Sequence, residues 1–234
     1  MSLVTYSLND KLATITMDDG KANVISPAMV EALNDALDTA EREAAVVVLT
    51  GRSGMFSGGF DLSEMAKGMD AAAALVQSGS ALAKRLLAFP LPVIGASSGH
   101  AIAMGSFLLL SCDHRIGLDG EFKYALNEVA IGLTMHHVGI ELARDRLTRR
   151  HFNRAVMNAE LFTPRAAVEA GFLDQVVEAD HFAHALKERA ALLAGLNSTA
   201  FKHTKRKARQ TLFKTLDWAM AEDAEEFKKL IAAS

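Results

Sequence analysis

Two glycine-rich segments of the sequence hold the groups best suited to chemistry. Residues 51–60 read GRSGMFSGGF, and residues 99–105 read GHAIAMG. Glycine reaches backbone dihedral angles that other residues avoid, so such loops can present backbone N–H groups. Two N–H groups from separate loops can converge on one oxygen and stabilise negative charge on it, which is an oxyanion hole. On the pattern alone, tight turns that serve only packing are the more frequent explanation.

Neither loop fits two other glycine-containing sites. The first lacks the GK[ST] ending of a phosphate-binding loop and the GxGxxG spacing of a dinucleotide site. The serines at positions 97, 98 and 106 lie in no GxSxG turn. The sequence therefore gives no support to a serine hydrolase or to these nucleotide sites.

Each glycine-rich segment follows an apolar run, residues 44–50 or residues 91–97. Uniformly apolar runs of this length are typical of strands buried on both faces of a parallel sheet. A helix after Ser26-Pro27, and another that Asp70 caps, alternate with these strands, which predicts an α/β fold with crossover helices. In such sheets, sites form beyond the carboxyl ends of the strands, where both loops lie.

The composition narrows the class of protein. The chain has 234 residues, 50% of them hydrophobic and 23% charged, with a net charge of −3. A chain of this length with this apolar fraction predicts one large domain or one and a half. We divide it into an α/β core, residues 1–190, and a helical part, residues 191–234. The charge balance disfavours nucleic acid as a partner. The single cysteine, Cys112, excludes an intramolecular disulfide.

The chain has no recognisable secretory signal at its start and no apolar stretch long enough to span a bilayer. We therefore predict a cytoplasmic protein without a membrane partner. His136 and His137 are adjacent, so on a helix they would face different directions. We predict no metal site.

Four segments, in order along the chain, resemble the crotonase superfamily, the enoyl-CoA hydratase/isomerase family. Residues 55–65 (MFSGGFDLSEM) resemble its first oxyanion loop, and residues 99–115 (GHAIAMGSFLLLSCDHR) resemble its second. Residues 21–26 (KANVIS) resemble an early segment that contacts CoA, and residues 163–177 (TPRAAVEAGFLDQVV) are similar to the segment after the catalytic region.

The resemblance implies the family's fold, a spiral of ββα units with a helical C-terminal region used in trimerisation. It also implies a homotrimer or a dimer of trimers, acyl-CoA thioester substrates, and no cofactor apart from the CoA of the substrate. By motif position, the N–H groups of Phe60 and Met104 would form the oxyanion hole, although Met104 replaces the usual glycine. The implied substrate- and CoA-binding residues are Lys21, Ala22, Ser57, Gly58, Gly59, Asp61, Leu62, Gly105, Phe107 and His136.

The carboxylates distinguish the possible reactions. Hydratases of this family carry two glutamates; here the first position falls on Phe107 and the second on Glu128. Residues 126–132 (LNEVAIG) resemble the Δ3,Δ2-enoyl-CoA isomerase branch, in which one carboxylate can move a double bond. We therefore predict an isomerase with Glu128 as the acid and base. The apolar neighbours of Glu128 predict partial burial, which would raise its proton affinity.

Two other functions stay open at this point. One is a hydratase, or another enolate-forming enzyme, that takes its second group from Asp61, Glu64 or His136. The other is a non-catalytic acyl-CoA-binding protein. We also expect Asp61 to cap the helix after the first loop.

A basic run, residues 202–209 (KHTKRKAR), allows two interpretations. It can be a solvated helix face, which is the usual role of such a run. It can also supply one or two cations to the phosphates of CoA.

Overall fold

The computed structural model describes residues 2–233 and contains a six-stranded sheet and two smaller sheets. In chain order the strands are β1 (Val4–Asn9), β2 (Leu12–Met17), β3 (Val24–Ile25), β4 (Val46–Thr50), β5 (Gly54–Ser57), β6 (Gly59–Phe60), β7 (Val93–Ser97), β8 (Gly99–Ile102), β9 (His114–Leu118), β10 (Tyr124–Ala125) and β11 (Gln175–Val177). The helices are α1 (Pro27–Glu43), α2 (Leu62–Met65), α3 (Met69–Ala88), α4 (Met104–Leu110), α5 (His137–Arg146), α6 (Arg149–Val156), α7 (Pro164–Ala170), α8 (Ala179–Ala194), α9 (Ser198–Ala208) and α10 (Gln210–Ala233).

The large sheet has the strand order β1-β2-β4-β7-β9-β11, and all its pairs except β1–β2 are parallel. The two apolar runs form β4 and β7, and nearly every residue of both strands is buried. Burial on both faces is why these strands are uniformly apolar. The predicted α/β pattern is therefore confirmed for the large sheet.

A tight two-residue turn joins β1 and β2. The two turn residues are Asp10 and Lys11, with φ of 46° and 63°. Two consecutive residues with positive φ are the mark of a type I′ turn, whose twist matches that of the strands.

The glycine-rich segments contain short strands that the sequence did not predict. β5 and β8 pair in parallel, and β10 adds to the other side of β8. β6, just after β5, pairs with β3 in a separate two-stranded sheet. Runs of two to four residues are too short to show periodicity, so the sequence presents them as loops.

Helix α3 begins earlier than expected. Its N-cap is Gly68, with φ of 140°, and the helix starts at Met69. Only glycine adopts this backbone conformation readily. The predicted cap, Asp70, was wrong; Asp70 instead lies in the first turn, where a negative charge complements the helix dipole.

The last three helices pack on different parts of the fold, since α8 contacts β4, β9 and β11 of the large sheet whereas α10 contacts other helices. α10 packs along α3 and α5, so the helical part and the predicted α/β core share an interface. Between Ser2 and Ala233, no helix combines the length and the apolarity that crossing a bilayer requires.

Candidate active site

The small sheet brings the three predicted catalytic residues to one edge. β5 is followed at once by β6, which contains Phe60, β8 leads into Met104, and β10 is followed three residues later by Glu128. β8 lies between β5 and β10 and is parallel to both. The carboxyl ends of all three strands therefore meet at the same edge, where parallel sheets form their sites.

The two predicted oxyanion loops touch at Gly59. A β-carbon on Gly59 would lie 2.8 Å from the Cβ of Ala103 and 3.4 Å from the backbone nitrogen of Met104. Gly59 has a φ of 100°, so both the space and the conformation require glycine. This contact places Phe60 and Met104 on adjoining segments.

The backbone geometry leaves both predicted oxyanion donors available. The Asp61 N–H donates to the Ile25 carbonyl (3.1 Å), and successive N–H groups of a strand point to opposite sides. The Phe60 N–H therefore points away from β3. Met104 is the first residue of α4, a position whose N–H has no acceptor within the helix.

Ala103 holds the strained conformation that starts α4. Its φ is 51° and its ψ is −124°, although alanine carries a β-carbon. The Ala103 N–H donates to the Ala125 carbonyl (2.9 Å), which ties the turn to β10. Strain of this kind costs about 1–3 kcal/mol and concentrates at functional sites.

Residues 21–23 brace the first loop, and Asn23 is a residue that sequence reasoning missed. Asn23 is fully buried, has a φ of 51°, and donates from Nδ2 to the carbonyls of Met17 (2.9 Å) and Phe56 (3.2 Å). The Ser57 hydroxyl donates to the Asn23 carbonyl (2.7 Å). An asparagine just before an apolar pair is a weak sequence signal, since it is common in ordinary turns.

The predicted CoA-contact residues near this brace have different environments. Lys21 is exposed, and its carbonyl accepts from the Arg52 guanidinium (2.8 Å). The Ala22 carbonyl accepts from the Gly58 N–H (2.7 Å). The Lys21 side chain stays available to a ligand, whereas the Ala22 carbonyl already has one partner.

Other predicted ligand-binding residues hold the loops in place. Gly105 packs directly on Ser57, since a β-carbon there would lie 2.3 Å from the Ser57 carbonyl oxygen. Asp61 caps α2 through a hydrogen bond from the Ser63 N–H (2.9 Å), so the predicted cap is confirmed. Leu62, the first residue of α2, is 56% exposed.

Glu128 is a buried carboxylate without a charged partner. It is 9% exposed, and no group among residues 2–233 donates a hydrogen bond to its Oε2. Burial raises the pKa of Glu128 to about 7 because the charged form loses its hydration. A carboxyl group in this range can accept and return a proton near neutral pH.

The remaining wall of the site is aromatic. Phe107 is 1% exposed, and its ring meets the His136 ring edge to face at a centroid distance of 5.6 Å. The Phe60 ring lies 6.5 Å from His136. A β-carbon on Gly79 of α3 would lie 2.5 Å from the Phe60 ring, so α3 packs directly against this ring. Burial lowers the pKa of His136, which keeps the imidazole neutral.

Two cations of the basic run, residues 202–209, form buried ion pairs and are therefore not available to a phosphate group. Lys205 Nζ lies 2.7 Å from Asp113 Oδ2, and Arg209 Nη2 lies 3.0 Å from Asp113 Oδ1. These two cations anchor α9 to the sheet. Lys202, Arg206 and Lys207 are exposed, so they stay available to a phosphate group.

His137 faces away from the aromatic wall. Its Nε2 lies 3.0 Å from Glu226 Oε1, and its ring contacts Trp218. Together with Asp223, His137 and Glu226 place possible metal ligand atoms within 4.8 Å of one another. Both Asp223 carboxylate oxygens already accept backbone N–H groups, which gives this cluster a structural explanation.

Comparisons with known proteins agree with this architecture. Residues 7–234 match the family described as Enoyl-CoA hydratase/isomerase. Among curated proteins, 2,3-dehydroadipyl-CoA hydratase of Escherichia coli (strain K12) is 28% identical over 99% of this chain and 91% of its own length.

Two solved structures are similar over nearly the whole chain. An enoyl-CoA hydratase/isomerase family protein from Pseudomonas syringae has a TM-score of 0.94 and 51% identity, covering 96% of this chain and 98% of the other. Human mitochondrial Δ3-Δ2-enoyl-CoA isomerase has a TM-score of 0.90 and 26% identity, covering 98% of this chain and 92% of the other. The fold class predicted from the sequence is confirmed by these likenesses.

Proposed function

Since the chain belongs to the enoyl-CoA hydratase/isomerase family, we propose that it is a Δ3,Δ2-enoyl-CoA isomerase with Glu128 as its acid and base. The observation that carries the proposal is that only one of the two carboxylate positions of family hydratases holds a carboxylate here. Glu128 is buried at the edge where three parallel strands end, and the other carboxylate position of family hydratases holds the apolar Phe107. One carboxylate is sufficient to move a double bond.

The proposed reaction transfers one proton along the substrate. The Glu128 carboxylate takes a proton from C2 of a 3-enoyl thioester, and the electron pair of that C–H bond moves into a dienolate. The N–H groups of Phe60 and Met104 donate to the thioester oxygen while it is negative. Glu128 then gives the proton to C4, which leaves the double bond between C2 and C3.

The burial of Glu128 supports this cycle energetically. A carboxylate with a raised pKa is a stronger base toward a C–H proton. Burial raises the pKa of Glu128 to about 7, which strengthens the base while leaving part of it ionised at neutral pH. The similarity to human mitochondrial Δ3-Δ2-enoyl-CoA isomerase supports the same choice.

The surroundings suit an acyl-CoA thioester, with CoA as part of the substrate and no separate cofactor. We propose that the acyl chain lies along Phe107 and His136. The exposed cations Lys21, Lys202, Arg206 and Lys207 are candidates to meet the CoA phosphates. We further propose a homotrimer or a dimer of trimers.

The test is a paired assay of the wild type and Glu128→Gln with a 3-enoyl-CoA. We expect the wild type to form the conjugated 2-enoyl thioester, followed by its absorbance. Glu128→Gln keeps the size of the side chain but cannot accept a proton, so its rate should fall by about 10³-fold or more. The exposed Glu121 provides the control, and Glu121→Gln should keep the wild-type rate.

Two results would contradict the proposal. Full turnover by Glu128→Gln would remove this residue from the reaction. Tight binding of acyl-CoA by the wild type without turnover would instead identify a non-catalytic acyl-CoA-binding protein.

A further inference from the structure

The cluster of His137, Asp223 and Glu226 joins two helices and includes none of the residues proposed to act on the acyl-CoA. His137 is the first residue of α5, whereas Asp223 and Glu226 lie three positions apart on α10. Residues with this spacing share one face of a helix. One possible ligand atom from each of the three residues lies within 4.8 Å of the other two. The packing of α10 on α5 therefore brings three metal-binding side chains together.

Asp223 is a buried carboxylate without a full positive charge beside it. It is 7% exposed, and its two oxygens accept the N–H groups of His137 and Val138 at the start of α5. These groups carry only the partial positive charge of a helix N-terminus. Among residues 2–233, the only ion pair of Asp223 or Glu226 is that of Glu226 with His137. Buried charges are normally paired or coordinate a metal ion, so Asp223 calls for a cation.

The cluster also carries more negative charge than the imidazole can balance. His137 Nε2 lies 3.0 Å from Glu226 Oε1, and the carboxylates of Glu222, Asp223 and Glu226 all act electrostatically on this imidazole. A protonated imidazole neutralises one of these three charges. A divalent cation would neutralise two and would reduce the repulsion between the carboxylates.

The donor atoms suit a transition-metal ion. A carboxylate has about four lone-pair sites, and capping α5 uses only two of those of Asp223. Ligand atoms on one zinc ion lie roughly 3–4 Å apart. The Glu226 side chain is 57% exposed, so it can turn to close the remaining gap. One imidazole with two carboxylates matches zinc and its neighbours, whereas magnesium and calcium prefer oxygen ligands alone.

We propose that His137, Asp223 and Glu226 bind one divalent transition-metal ion, with zinc as the best match and water as the fourth ligand. The ion joins the first turn of α5 to α10 and stabilises their packing. It takes no part in the proposed isomerisation. The adjacent histidines indicated no metal site in the sequence, because the ligands that accompany His137 lie 86 and 89 positions further along the chain.

The test titrates Zn²⁺ into the whole chain, prepared without a histidine tag and treated with a chelator. Calorimetry measures the stoichiometry and Kd, and thermal unfolding measures Tm with and without the ion. Co²⁺ serves as an optical substitute for zinc, because it quenches the fluorescence of a nearby indole. The ring of Trp218, the only tryptophan of the chain, lies 5.6 Å from that of His137, so its fluorescence reports on this cluster.

We expect the wild type to bind one equivalent of Zn²⁺, and Tm to rise by about 5 °C or more at a hundredfold excess over Kd. Mg²⁺ should do neither. His137→Gln and Glu226→Gln should each weaken zinc binding by about tenfold or more, since each removes a ligand. Two controls should bind zinc nearly as the wild type does. Glu222→Gln removes a charge next to the cluster but no ligand, and His184→Gln removes an imidazole that pairs only with Glu188 on α8.

Two results would overturn the inference. One is a wild type that binds no zinc. The other is equal Kd values for the wild type, His137→Gln and Glu226→Gln, which would mean that the ion binds adventitiously elsewhere. Circular dichroism checks that both variants fold, and Glu226→Gln, at an exposed side chain, serves if His137→Gln does not. No readout depends on turnover of an acyl-CoA, so failure of the isomerase proposal would leave this test unaffected.

Discussion

At the scale of single residues, the site combines groups that are costly to bury. Glu128 has lost its hydration and has an unpartnered carboxylate oxygen. His136 lies among aromatic rings and is held neutral. A residue chosen for stability at either position would be apolar. Buried polar groups of this kind are candidates for a functional site.

The pH dependence of turnover is the prediction that belongs to this scale. Burial raises the pKa of Glu128 to about 7, and the proposed reaction needs its ionised form. We expect kcat/KM of the free enzyme to rise with pH and to reach half its plateau near pH 7. Steady-state rates with a 3-enoyl-CoA, measured from pH 5 to pH 9 in steps of about 0.5 pH unit, would determine this midpoint. A midpoint close to the usual glutamate value would mean that the carboxylate is hydrated in the working enzyme.

At the scale of secondary-structure elements, very short strands do the positioning. β5, β8 and β10 are only two to four residues long, yet their parallel pairing sets where Phe60, Met104 and Glu128 lie. Strands of this length are weakly stable by themselves. They depend on side chains that tie their ends to the rest of the fold, and Asn23 is the most connected of these.

Asn23 gives a prediction at the element scale. Asn23→Ala would leave the carbonyls of Met17, Met55 and Phe56 without their amide donor, and would place alanine at a φ of 51°. We expect the free energy of unfolding to fall by about 3 kcal/mol, and turnover to fall because the first oxyanion loop is displaced. Urea unfolding and initial rates would test both effects.

The control for this variant is Asn158→Ala, since Asn158 is exposed. It should change stability by no more than about 0.5 kcal/mol. A fully stable, fully active Asn23→Ala would show that the short strands hold the loop without this side chain.

At the scale of the whole molecule, buried ion pairs connect helices near the C-terminus to the sheet. Asp113 follows α4 and accepts from the Val93 N–H, while Lys205 and Arg209 of the basic run approach it from the other side. Asp223 of α10 makes a second connection, because its carboxylate accepts hydrogen bonds from the first N–H groups of α5. The helical part of the chain therefore supports the wall of the site as well as covering the core.

Asp113→Ala tests how much the ion pairs of Asp113 with Lys205 and Arg209 stabilise the fold. It leaves two cations at a buried position without their carboxylate, and breaking a buried pair in this way costs about 3–5 kcal/mol. We expect a loss of that size in urea unfolding, with faster amide hydrogen exchange in α9 than in β4. Asp145→Ala, at an exposed position, is the matched control. Equal stability of the two variants would show that the apolar contacts of α9 suffice.

The sequence by itself determined the large features of this protein. The apolar runs 44–50 and 91–97 specified β4 and β7, because a strand buried on both faces must be apolar throughout. Four ordered motifs indicated the family, and the phenylalanine at position 107 led to the prediction that Glu128 is the acid and base. These properties are local, so they are visible in the order of residues.

Only the tertiary structure decided what depends on distant parts of the chain. The pairing of β10 with β8 placed the strand that precedes Glu128 alongside the strand that leads to Met104, and Asp223, 87 positions beyond His136 in the numbering, caps α5. The three-carbonyl role of Asn23 and the ion pairs of Lys205 are likewise long-range. Burial and hydrogen bonding between remote segments exist only once the chain has folded, so no local pattern could specify them.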